Sequence, residues 1–245
     1  MAIKTGNPAL SEKTFEGLGA SDNPMTLPGT INKTAILLAL VLIGAGWVWN
    51  QYFATHQTDE VIPYLLIGSL GGLVMALVTT FKKTAAPYTA PIYALFEGLA
   101  IGGTSALYDS QQPGIALQAV GLTMGTMLCM LAAYRFQLIK VTDNFRMGVA
   151  AATGGILILY LVDLILMFFG HPVAMIHQGG TWGIVFSLFV VCIAALNLVM
   201  DFDFIAQGVA QRSPKYMEWY SAFGLVVTLI WLYLEILRLL AKRDR

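Results

Sequence analysis

The chain has 245 residues, 57% of them hydrophobic and only 11% charged, whereas a water-facing domain carries about 25% charged residues. So small a charged fraction cannot cover a soluble surface, and the chain reads as a polytopic membrane protein. Its 14 basic residues balance its 14 acidic ones, so it carries no excess positive charge to bind a nucleic acid.

Residues 1–33 are polar and punctuated by Gly and Pro. They read as a flexible cytoplasmic tail, not a signal peptide. A bilayer-crossing helix needs roughly 20 apolar residues. Seven segments qualify, at 34–53, 61–81, 88–108, 114–136, 146–169, 180–204 and 217–241. They are joined by HQTDE, KKTAAP, DSQQPG, QLIKVTDNFR, GHPVAMIHQGG and AQGVAQRSPK, none long enough for a soluble domain. Residues 34–241 therefore form one seven-helix membrane domain, followed by a short basic tail at 242–245.

Orientation follows the Lys and Arg residues, which favour cytoplasmic connections. Lys4, Lys13 and Lys33 precede the first span, Lys82 and Lys83 follow the second, Arg135, Lys140 and Arg146 surround the fourth connection, and Arg212 and Lys215 lie in the sixth. The first, third and fifth connections carry none. The N-terminus is therefore predicted to be cytoplasmic. Seven spans then place Arg238, Lys242, Arg243 and Arg245 on the far side, against the rule.

Polar groups within the spans are the candidate functional residues, because an ionised carboxylate near a bilayer centre costs roughly 3 kcal/mol. Glu97 lies midway along the third span and Asp163 toward the outer end of the fifth. Asp201 and Asp203 lie near the cytoplasmic end of the sixth, in NLVMDFDFI. Two residues apart on a helix, they point about 160° away from each other. Asn197, one turn before Asp201 on the same face, marks Asp201 as the inward group and leaves Asp203 to water. Lys82 either anchors the second span or pairs with Asp201. Glu235 and Arg238 have the i,i+3 spacing of an ion pair. Cys129 and Cys192 sit in apolar runs and read as small core residues. His56, His171 and His177 match no metal-site spacing, although the last two leave an outer pH response open. No catalytic set of residues is visible, so an enzyme is disfavoured, and no cofactor is expected.

Four stretches are similar to the bacterial Bax inhibitor-1, or transmembrane Bax inhibitor motif, family: MTLPGTINKTAILL, APIYALFEGLAIGG after the KK turn, LNLVMDFDFI, and EWYSAFGLVVTLIWLYLEILRLL. The resemblance runs from about residue 25 to the C-terminus. It implies an all-α bundle of seven transmembrane helices with the last helix central, in a bacterial inner membrane. It also implies a pH-sensitive calcium leak, in which an aspartate on the sixth helix pairs with one on the seventh and a basic residue ends the second helix. Asp201 matches the first aspartate and Lys82 is the nearest basic residue. Thr228 stands where the second aspartate is expected, with Glu235 two turns beyond it. The resulting expectation is a cation leak, with calcium as permeant ion and a proton-titrated gate at Asp201. Two rivals stay open: a non-conducting regulator that binds a membrane protease or translocation machinery, and a proton-coupled transporter using Glu97 and Asp163.

Overall fold

The computed structural model describes residues 21–55, 57–171, 173–177 and 180–243, without the side chains of residues 174 and 175. Most of the predicted N-terminal tail, together with His56 and Arg245, lies outside the described residues. Among these residues every extended element is helical: α1 Leu27–Thr55, α2 Ile62–Phe81, α3 Ala86–Asp109, α4 Ile115–Arg135, α5 Asp143–Phe168, the short turn α6 Ala174–His177, α7 Thr181–Ala210 and α8 Met217–Arg243. Six of the long helices are apolar enough to cross a membrane. The seventh, α3, has 24 residues, about 36 Å at the usual rise, and so has the length to cross. Its composition is less greasy because small residues replace large ones. The buried share of the apolar stretch is 67% in α8 and 56% in α7, against 17–28% in α1, α2, α4 and α5. The last helix is therefore the most enclosed, which is why it tolerates Glu218, Thr228 and Glu235.

Two boundaries differ from the sequence reading. Helix α1 starts at Leu27, seven residues before the predicted span. Thr26 caps it, accepting a hydrogen bond from the Gly29 N–H at 3.1 Å, and Pro28 suits a first helical turn. Hydrophobicity marks the span, whereas capping sets the start of the helix. At the other end Lys242 is 4% exposed and belongs to α8, not to a tail. Cys129 and Cys192 are free and exposed. An apolar helix face needs no burial in protein when lipid covers it.

The chain forms two compact units. One contains α1, α2, α3 and residues 203–227. Here α3 lies hard against its neighbours because glycines remove the side chains between them. A Cβ added to Gly98 would sit 2.5 Å from the Val41 carbonyl oxygen on α1, and one added to Gly68 would sit 2.5 Å from the Ala100 nitrogen on α3. Neither obstacle can rotate away. Gly98→Ala should therefore destabilise the protein by about 1–3 kcal/mol through overpacking. Gly46→Ala, with nothing within 4 Å of the added carbon, should be neutral or mildly stabilising. Thermal unfolding of both variants in detergent checks the contrast. The other unit contains residues 117–202 and 228–243 of the described chain, and holds most of the intramembrane polar groups.

Candidate functional site

Helices α5 and α7 run antiparallel in this second unit, and three contacts fix their register. The Tyr160 and Phe186 rings meet at 6.5 Å. Ile156 packs with Val190 and Ile193. Asn197 donates from Nδ2 to Thr153 Oγ1 at 2.8 Å and to the Ile193 carbonyl at 2.9 Å. Following this register one further turn along α7 brings Asp201 level with the first turns of α5, where Arg146 is buried. Asp201 itself is 1% exposed.

Helix α8 is keyed to α7 at its far end. Lys242 Nζ donates to Ser187 Oγ at 2.9 Å and to the Gly183 carbonyl at 3.2 Å. Fourteen residues separate Lys242 from Thr228, and fourteen separate Ser187 from Asp201. Both intervals are about 21 Å of helix. Thr228, also buried, is thus level with Asp201, while Glu235 lies about 10 Å farther along the axis.

Glu235 has its own partners at that depth. Tyr160 donates its hydroxyl to Oε1 at 2.8 Å, and Arg238 donates to both carboxylate oxygens at 3.0 Å. The same guanidinium donates to the Tyr160 oxygen at 2.7 Å and lies 5.1 Å from the centre of that ring. The i,i+3 spacing thus produces the ion pair it allows, with a tyrosine from α5 completing a part-buried triad around a buried carboxylate. Asp163, also buried, accepts the Val173 N–H at 2.8 Å and lies 2.7 Å from His177 Nε2.

The remaining sequence candidates lie in the first unit. Glu97 is half-buried, with Gly72 of α2 beside its carboxyl and the Tyr93 hydroxyl in hydrogen-bonding reach one turn earlier. Asp203 is half-buried rather than simply in water, and accepts from Gln207 Nε2 at 2.6 Å. Lys82 is exposed and caps α2, its N–H bonded to the Val78 carbonyl. Among the described residues no three His, Cys, Asp or Glu side chains gather closely enough to hold a metal.

Two buried charged groups escape the sequence reading. Arg146 is counted there only as an orientation signal. Glu218, in the first turn of α8, is fully buried. It accepts from the Thr26 N–H at 2.8 Å, from the Thr26 hydroxyl at 2.9 Å, from Lys215 at 2.8 Å and from Lys33. Lys33 also lies 5.5 Å from the Trp219 ring. The backbone joins the same clamp, with Met25 N–H bonded to the Ser213 carbonyl at 2.7 Å. The one signal in the sequence is an acid at a helix N-terminus, where the dipole favours it. Glu218→Ala should cost on the order of 2 kcal/mol, the scale of hydrogen bonds to a charged group. Lys215→Ala, removing a half-exposed partner, should cost well under half of that. Thermal melts in detergent separate the two.

A family model described as Bax inhibitor 1 like matches residues 7–245, nearly the whole chain. The chain belongs to the Bax inhibitor 1 like family. Comparison with curated proteins and with solved structures returns no match. Family membership and the apolar helices together make this a multi-pass membrane protein. In this Bax inhibitor 1 like chain, the buried Asp201 of the sixth long helix is level with Thr228 of the last helix, while Glu235 of the last helix is tied to Arg238.

Proposed function

We propose that the protein is a pH-sensitive cation leak, with calcium as the first candidate ion and Asp201 as its gate. The observation that carries this reading is a buried carboxylate on α7 level with a buried arginine, Arg146, and a buried hydroxyl, Thr228. An ionisable group embedded in the membrane is a functional-site candidate by default. Oxygen ligands suit calcium, and Asp201 and Thr228 are oxygen donors. In the closed form ionised Asp201 pairs with Arg146. Proton uptake by Asp201 ends the pairing and frees α7 from α5, so the leak rises as pH falls. Lys82 is not needed for this latch. The N-terminus faces the cytoplasm of a bacterial inner membrane on this reading, as the Lys and Arg pattern predicts. The experiment is calcium flux into protein-loaded liposomes across a pH series. An Asp201→Asn variant that keeps the wild-type pH profile rules out the gate.

A second reading has its own support. Residues 21–25 are bonded to the turn after α7, with Ser21 N–H to the Arg212 carbonyl at 3.1 Å beside the Met25–Ser213 bond. A partner protein that held the preceding tail would pull on this turn, which suits a regulator of a membrane protease or translocation machinery. Deleting residues 2–20 should then abolish co-purification of the partner while the fold survives. Unchanged co-purification defeats this reading.

A further inference from the structure

The far end of α5, away from the Arg135, Lys140 and Arg146 end, carries a second titratable arrangement that does not involve Asp201. Asp163 is 6% exposed and spends both carboxylate oxygens on the connection that follows α5. Oδ1 accepts the Val173 N–H at 2.8 Å, and Oδ2 lies 2.7 Å from His177 Nε2. The His177 side chain is 41% exposed, so its ring exchanges protons with water while its partner is sheltered. One buried carboxylate thus ties down both ends of a five-residue stretch, 173–177, that includes the turn α6.

We propose that His177 and Asp163 form a pH-operated latch that fastens this stretch to the end of α5, tightening on acidification of the side the connection faces. Histidine is the side chain whose ordinary titration falls in the physiological range. When His177 is neutral, the contact is a hydrogen bond to a carboxylate. When it binds a proton, the same contact becomes a charge-assisted pair, and such bonds are stronger. The groups that face the carboxylate are few. The connection supplies the Val173 N–H and His177. Helix α8 supplies Arg238, whose charge acts on Asp163 across the helix boundary. Arg238 is itself held by Glu235 and by Tyr160 of α5, and Lys242 lies within electrostatic reach of both Arg238 and Glu235. Of these, the Arg238 guanidinium stays charged at any of these pH values, and the Glu235 carboxylate is paired with it. The exposed imidazole is therefore the group that changes the contact.

The amide of Val173 reports the latch directly, because its hydrogen is bonded to Asp163. Its exchange with deuterated water is measured for the full chain in lipid nanodiscs, corrected for intrinsic chemical exchange. Between about pH 8 and pH 5.5, across the ordinary histidine titration, its protection should rise about threefold, the scale of a half-exposed ion pair. In His177→Gln and in Asp163→Asn the corrected protection should be flat with pH. The Phe145 amide, bonded to the Thr142 hydroxyl at the opposite end of α5, should not follow the change in any of the three proteins. A flat profile in the wild type, a preserved slope in His177→Gln, or a parallel response at Phe145 overturns the proposal. The readout involves no ion flux, so it stands or falls apart from the Asp201 gate.

Discussion

Replacing Arg238 by methionine should destabilise the protein by about 3 kcal/mol, the lower end of what losing one partner of a buried ion pair costs. Glu235 has 2% of its side chain exposed and Arg238 has 31%, so the substitution strips a sheltered carboxylate of its paired charge and leaves the Tyr160 hydroxyl as its hydrogen-bond donor among the described residues. The loss reflects that stranded charge more than the worth of the pair itself. Adding Glu235→Gln should therefore recover most of the stability, because a neutral amide keeps a hydrogen bond with Tyr160 and needs no counter-charge. Glu235→Gln alone should cost less than Arg238→Met alone, because Arg238 is the more exposed partner and reaches water. Unfolding of the four proteins in a denaturing detergent series gives the double-mutant cycle. A double variant no more stable than Arg238→Met would mean that the charge was never the problem and that the arginine acts through its packing on the Tyr160 ring.

The same pair bears on how far the sequence could be read. The long helices are legible because hydrocarbon demands runs of fixed length, and α3 is legible by its length although glycine and alanine dilute its hydrophobicity. The Glu235–Arg238 pair is legible because its geometry is local to one helix. Two of the C-terminal charges that run against the charge rule have partners within the protein. Arg238 is occupied by Glu235, and Lys242 is drawn back onto the first turns of α7, so these two charges help to pack the protein in addition to marking a side of the membrane. What remained illegible depends on contacts between distant segments. Thr26 and Glu218 meet across 192 residues, and no periodicity announces that meeting. Asp201 stands out in a greasy run, but its depth relative to Arg146 is set by how Tyr160, Ile156 and Thr153 interlock with α7. The family pattern points to Lys82 as the nearest basic residue, whereas Arg146 becomes a candidate only once the register of α5 against α7 is known.

That choice of partner sets the sign of the last prediction. If ionised Asp201 holds α7 to Arg146 of α5, neutralising either residue should open the leak at neutral pH. Asp201→Asn in calcium-loaded liposomes should leak at the rate the wild type reaches only in acid, and its profile should be flat. A charge-assisted contact worth roughly 1.5–3 kcal/mol shifts a two-state population by about tenfold or more, so the rise at neutral pH should be about tenfold. Arg146→Gln should raise the neutral-pH leak in the same direction. Lys82→Gln should leave both rate and profile unchanged. Thr228→Val, which removes the level hydroxyl and keeps the shape, should lower the flux without moving the pH dependence, because it removes an oxygen donor and no charge. Should Lys82→Gln open the leak and Arg146→Gln do nothing, the latch would run to α2 instead, and the register of α5 against α7 would have no bearing on gating.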